Sequence, residues 1–230
     1  MSDWLTSSLF YGAVLTLLAY EAGLLLQRRF KSALMNPILL GTVIVSAVNA
    51  LTGASYAAYE QSARYFSWLL TPATICLAVP LYEQLTLLKQ NLKAVILAIL
   101  AGVLASLTGV FALSLLFRLD HTVYVTLLPK SVTSAIGIAA AGELGGVVPL
   151  AAAVIIFSGL MGNMFASAFF KLIRLTEPAA RGLALGTASH AIGTAKALQM
   201  GPVEGSMSSL AIAAAGLVTV LLLPGFAGFI

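Results

Sequence analysis

The stretch 183-LALGTASHAIGTAKALQ-199 decides how the rest of the chain is read. Ten consecutive positions within it hold Thr187, Ser189, His190, Thr194 and Lys196, interleaved with Gly193 and preceded by Gly186. In a water-soluble domain such a run would be an unremarkable surface helix. Here it sits in a 230-residue chain that is 60% hydrophobic and only 9% charged. Soluble domains average about 25% charged residues, so this supply cannot cover a water-facing surface. The apolar runs 5–27, 35–54, 94–117, 147–170 and 207–229 each approach or exceed the roughly 20 residues that cross a bilayer as a helix. The polar stretch is therefore embedded in a membrane protein and needs a reason to be there.

Working outward, two further segments share its character. "LLTPATICLAVPLYEQ" (69–84) is apolar but broken by Pro72 and Pro80, and "LLPKSVTSAIGIAAAGELGG" (127–146) is broken by Pro129 and its glycines. Pro72, Pro129 and Gly186 recur every 57 residues, and so do Gly102, Gly159 and Gly216 in the runs that follow. This spacing suggests an interrupted half-span followed by a plain span, used repeatedly. The expected fold is all-α: one polytopic transmembrane domain over 1–230, with about six to eight spans and interrupted or re-entrant helices. If every segment crosses, the basic connectors 28–34 and 171–181 face opposite sides. If 122–141 or 182–199 dips in and returns, both can lie in the cytoplasm, as lysine and arginine bias prefers.

The first run carries Asp3 rather than a basic cluster, and Glu21, Arg28 and Arg29 stand where a small-residue cleavage site would be, so it reads as a retained span. A net charge of +4 fits the bias of cytoplasmic loops rather than a nucleic-acid footprint. One cysteine, Cys76, and two histidines, His121 and His190, give no basis for a metal centre. No cofactor is expected.

Polar groups within hydrocarbon are expensive and normally face a cavity or another helix. Free backbone at a helix break survives only where protein or a wet cavity shelters it. Candidate binding residues therefore cluster at the breaks. In "PKSVTS", Pro129 suits the first turn of a helix, Lys130 adds charge at the positive end of its dipole, and Ser131 and Thr133 offer hydroxyls. Together they describe a carboxylate or phosphate site; the competing reading is an interfacial helix start with a snorkelling lysine. In the opening stretch a continuous helix would put Thr187, His190 and Thr194 on one stripe and Ser189, Gly193 and Lys196 opposite, so it must be central or unwound. Gly182 and Gly186 form a GxxxG that permits close helix approach. His190 is either a substrate donor and proton carrier or simply helix-packing glue. Thr71, Pro72 and Thr74 form a third candidate, weaker because prolines kink membrane helices commonly. Glu204 is a second candidate for proton coupling, and Glu21 is either a proton site or interfacial. Ser189 next to His190 cannot be a catalytic dyad, and no G-x-S-x-G is present, so no enzyme is expected.

"LLTPATICLAVPLYEQ", "LLPKSVTSAIGIAAAGELGG", "ARGLALGTASHAIGTAKAL" and "EGSMSSLAIAAAGLVTVLLLP" resemble, in order and spacing, the signature stretches of the LrgB/CidB family over essentially the whole chain. The resemblance implies two different roles. Bacterial members are described as holin/antiholin-like modulators of murein hydrolase activity, encoded beside a small LrgA/CidA-like membrane protein. Fused plant relatives look like plastid glycolate/glycerate translocators, and some bacterial pairs are linked to pyruvate uptake. The polar residues at the breaks favour a carrier of small carboxylates (glycolate, glycerate, lactate or pyruvate type) working by alternating access, with His190 or Glu204 as candidates for proton coupling. The alternative is a holin/antiholin-like regulator without a small-molecule site. Either way the expected setting is the bacterial cytoplasmic (inner) membrane, as a homo-oligomer, taken as a dimer, with an LrgA/CidA-like partner plausible.

Overall fold

The computed structural model describes residues 8–30, 35–76, 79, 82 and 85–230. They are helical throughout, with no strand among them. The chain divides into two compact units, Met1–Cys76 and Leu77–Ile230.

The first unit contains α1 (Tyr11–Phe30), α2 (Pro37–Thr52) and α3 (Tyr56–Cys76). Asn36 starts α2 by accepting from the amides of Ile38 and Leu39 at 2.9 and 3.3 Å, with Pro37 in the first turn; Gly53, at φ 68°, ends it. Polar side chains tie the three helices together. The Tyr11 hydroxyl donates to Asn49 at 2.8 Å, Thr16 and Tyr59 hydroxyls meet at 2.8 Å, and the Gly12 amide donates to Ser62 at 2.8 Å. The more polar stretch from Tyr56 to Trp68 forms the first part of α3, and Pro72 lies inside that helix.

The second unit contains α4 (Leu85–Gln90), α5 (Leu92–Phe117), α6 (His121–Leu127), α7 (Ser134–Glu143), α8 (Val148–Leu172), α9 (Pro178–Met200) and α10 (Pro202–Ala227). Among the described residues, α5, α8 and α10 are long and apolar enough to cross a membrane. Val95, Ile99, Val103, Leu107 and Val110 make one buried stripe on α5, spaced as a helix requires, against Tyr124, Leu128, Leu183, Met207 and Ala215. Leu97, Leu104, Leu115 and Leu116 of the same helix are exposed, as are Phe157 and Phe165 of α8 and Leu217 and Leu221 of α10. Such outward aliphatic faces suit lipid.

The short helices matter most. Asp120 caps α6, accepting from the Val123 amide at 2.8 Å, so this helix is already running when it reaches Pro129. The proline cannot continue it, and α7 starts five residues later. In α9 the break falls at Ser189 (φ −135°, ψ 16°) and His190 (φ 41°, ψ −137°). The chain reverses there. Residues eight apart in a straight helix are separated by about 12 Å. Instead, a Cβ on Gly193 would lie 2.7 Å from the Leu185 carbonyl oxygen. Gly186 and Thr194 both abut Ser208, and Gly182 and Leu198 both abut the Glu204–Gly205 region, so the two halves of α9 lie side by side along the first turns of α10. The α6–α7 pair folds back in the same way. A Cβ on Gly137 would sit 3.0 Å from the Pro129 carbonyl oxygen, and the Val147 amide donates to Thr126 at 2.8 Å.

The boundaries recur with the spacing seen in the sequence. His121 and Pro178 open the two hairpins and Glu143 and Met200 close them, each pair 57 residues apart. Gly102 faces Thr187, Gly159 faces His190 and Gly216 faces Ile136, so each of these glycines of a long helix meets a hairpin. In the first interval of the pattern Pro72 does not break the chain but lies inside α3, and Pro80 lies outside the described residues. Gly201 alone links α9 to α10, because Pro202 is well placed to start α10, and Asn91 alone separates α4 from α5.

Candidate functional site

A cavity of about 720 Å³ lies in the second unit between α5, the α6–α7 turn and the first half of α9. At one end it is lined by Asn91, Ala94 and Glu177, and at the other by Ser106, Lys130 and Ser131. Ser106 is near the middle of α5, so the polar end of the cavity lies about halfway along that helix. Lys130 Nζ donates to Ser131 at 2.9 Å and to Ser106 at 3.3 Å, and the two hydroxyls are 3.0 Å apart. Lys130 is the one cation among the described residues lining the cavity and Glu177 the one carboxylate. No described carboxylate lies within ion-pair distance of Lys130. An ammonium sheltered from water with only hydroxyls for company attracts an anion.

The local structure differs from the sequence expectation in one respect. Pro129 does not open a helix, and Lys130 does not sit at the positive end of one. Both lie in the turn after α6, with the Lys130 amide donating to the Leu127 carbonyl at 3.1 Å, because the Asp120 cap starts α6 upstream of the proline. Charge from a helix N-terminus is therefore not the source of the site; the lysine and its two serines are. Thr133 caps α7 by position, without a side-chain hydrogen bond to its amides.

Thr187, two residues before the break in α9, lines the same cavity. Its hydroxyl donates to the Leu183 carbonyl at 2.7 Å, which leaves its methyl toward Gly102. The rest of the opening stretch faces elsewhere, because the reversal at Ser189–His190 dissolves the stripe a continuous helix would have made. His190 is not among the residues lining the cavity; its Nε2 donates to the Ile155 carbonyl of α8 at 2.9 Å and it packs on Gly159. Ser189 presses against Gly162. Thr194 donates to the His190 carbonyl at 3.0 Å and meets Ser208 at 2.7 Å. Lys196 lies on the second half of α9, away from the cavity lining. Glu204 is buried in the first turn of α10 against Gly182 and Gly201. Pro72 is exposed within α3, while the side chains of Thr71 and Thr74 lie outside the described residues.

Sequence reasoning missed Ser106 and Asn163. Asn163 donates from Nδ2 to the Ile192 carbonyl at 2.8 Å and so supports the chain just past the break. The two are 57 residues apart, each a polar group inside an apolar span. Combining the repeat spacing with polar residues in plain spans would have flagged both.

A family model for the LrgB-like family matches residues 16–229. The chain is 35% identical over 222 residues to the "Antiholin-like protein LrgB" of Bacillus subtilis (strain 168), covering 96% of each chain. Proteins of the same name from Bacillus cereus (strain B4264) and Bacillus anthracis (strain CDC 684 / NRRL 3495) are 34% identical over 226 residues, 98% of each chain. No solved structure matches. With the match running from within α1 to the end of α10, the chain belongs to the LrgB-like family of membrane proteins.

Proposed function

We propose that this protein carries small carboxylates across the cytoplasmic membrane of a bacterium, binding the anion at Lys130, Ser131 and Ser106. The observation that carries the reading is the Lys130 ammonium, held at the polar end of a cavity by two hydroxyls with no described carboxylate within ion-pair distance. The α6–α7 pair and α9 act as re-entrant hairpins that enter from opposite faces between the spans α5, α8 and α10. With α1, α2 and α3 also crossing, the count is six. Lys89, Lys93, Lys171, Arg174 and Arg181 then share one face with Glu177, while Arg118, Asp120 and Glu143 share the other. The basic face is cytoplasmic. The cavity, reached past Asn91 and Glu177, opens to that side, as the inward-facing state of an alternating-access carrier would. Sites between repeats at broken helices are the common arrangement in secondary transporters. No catalytic step is assigned to the chain.

Lys130→Ala removes a charge-assisted contact of about 1.5–3 kcal/mol, so carboxylate binding should weaken by one to two orders of magnitude. Uptake of labelled glycolate or pyruvate by proteoliposomes should fall accordingly at unchanged protein level. Undiminished uptake would refute the assignment, and no uptake by the wild type, with or without an LrgA/CidA-like partner, would sink the carrier reading.

The printed name of the relatives favours a second reading, an antiholin-like regulator acting through membrane partners. On that reading the hairpins serve as packing, and Lys130→Ala in cells should leave autolysis unchanged. On the carrier reading the same substitution changes it through altered carboxylate flux.

A further inference from the structure

We propose that a groove between the second half of α8 and the first half of α9 binds an anionic phospholipid, with an acyl chain in the groove and the phosphate at Lys171, Arg174 and Arg181. The inference goes beyond the carrier reading and does not depend on it. The groove encloses about 330 Å³, with Met161, Phe165, Phe169 and Phe170 of α8 across from Leu185 and Ala188 of α9. Its one polar lining side chain, Ser189, is pressed against Gly162. Met161, Phe165 and Phe169 are exposed. From Met161 to Phe170 α8 rises about 14 Å, close to the roughly 15 Å of hydrocarbon in one leaflet. A groove of that length, apolar along its course and open beside an aliphatic outer face, suits an acyl chain and not a polar solute. It shares Ala184 and Ala188 with the Lys130 cavity, so a chain lying in it braces the first half of α9 from the α8 side.

Charge at the Phe170 end of the groove selects the headgroup. The turn after α8 is closed by the Leu175 amide donating to the Phe170 carbonyl at 2.9 Å and the Arg174 amide donating to the Lys171 carbonyl at 3.2 Å. Leu175 packs on the cluster of Phe170 and Leu185, two residues of the groove itself. Lys171 and Arg174 are thereby kept at the groove's end, and both are exposed. Arg181, one turn before Leu185, donates from Nε to the Leu175 carbonyl at 2.7 Å, which ties its guanidinium to the same turn. Its Nη hydrogens have no acceptor among the described residues, and no described carboxylate lies within ion-pair distance of the three cations. Glu177, the one acid between Lys171 and Arg181, lines the Lys130 cavity instead. A guanidinium oriented by a backbone carbonyl offers planar donors that match phosphate oxygens. A phosphocholine headgroup brings an ammonium of its own, which these cations repel. A phosphoglycerol headgroup brings none, so the cluster favours the anionic lipid.

The experiment uses the full-length protein with Trp4→Phe and Trp68→Phe, so that Phe165→Trp supplies its one tryptophan. The protein is reconstituted in phosphatidylcholine vesicles containing either phosphatidylglycerol or phosphatidylcholine brominated on the acyl chains. Quenching then reads which lipid occupies the groove. Leu97→Trp, on the exposed face of α5 in the same background, reads ordinary boundary lipid. One basic residue near the membrane surface is worth about 1 kcal/mol toward anionic lipid, or about fivefold. The Phe165→Trp protein should favour phosphatidylglycerol at least about fivefold more strongly than the Leu97→Trp protein does. Arg181→Gln should lower that preference about fivefold. Arg174→Gln, at an exposed position with no described side-chain contact, should do the same without disturbing the turn. Equal preference at the two tryptophans, or a preference that neither arginine substitution moves, means boundary attraction only and overturns the site. Absence of quenching at Phe165→Trp by both brominated lipids means that protein, such as a second copy, covers the groove, and overturns it as well.

Discussion

Gly186→Ala tests the fold-back of α9 directly. A Cβ at this position would meet the Ser208 carbonyl oxygen, and would lie 2.7 Å from Ala211 Cβ and 2.9 Å from Ser208 Cα. Carbon atoms pack best at about 3.5–4.0 Å, so the first half of α9 must retreat from α10 by roughly 1 Å. Two of the three obstructing atoms are helix backbone and cannot rotate away. Overpacking of this kind costs about 1–3 kcal/mol. Alanine also has a better helix propensity than glycine, by about 0.8–1 kcal/mol, which offsets part of the loss. Gly109→Ala on α5 isolates the contact, because nothing lies within 4 Å of a Cβ there. It carries the same propensity gain with no obstruction. The difference between the two variants therefore reads the contact alone, about 1–3 kcal/mol. For a chain of this size that corresponds to roughly 2–12 °C in unfolding midpoint. Followed by intrinsic fluorescence in detergent, Gly109→Ala should be neutral or stabilising and Gly186→Ala lower by that margin. Equal midpoints would refute the close packing of α9 on α10, and with it the reversal at Ser189–His190.

Two further outcomes follow from the same geometry. Ser106→Ala should weaken carboxylate binding by about two- to tenfold, the share of one neutral hydrogen bond of about 0.5–1.5 kcal/mol, measured by titration; unchanged affinity would remove Ser106 from the site. In a Cys76→Ser background, Lys93→Cys and Arg174→Cys should react with an impermeant thiol reagent from the same face and Glu143→Cys from the other. Lys93 and Arg174 labelled from opposite faces would mean that α6–α7 crosses the membrane instead of returning.

The sequence determined the class and much of the plan. Too few charged residues to face water made a membrane protein unavoidable, and runs of about 20 apolar residues located the long helices to within a few positions. The polar runs at Pro129 and at Thr187–Lys196 located the breaks, because backbone and hydroxyls at membrane depth require shelter. The 57-residue spacing was visible as well. Local pattern could not say whether a broken helix crosses or returns, since both produce the same composition. Nor could it say which side of a break faces a ligand: His190 and Lys130 look equally functional in one dimension. Tertiary structure separated them. Gly182, Gly186 and Gly193 let the halves of α9 close on each other and on α10, which turns His190 toward the Ile155 carbonyl and leaves Thr187 in the lining of the cavity that holds Lys130. Ser106 entered the site only through that packing, because a lone serine in an apolar span has no local signature until another helix brings a lysine to it.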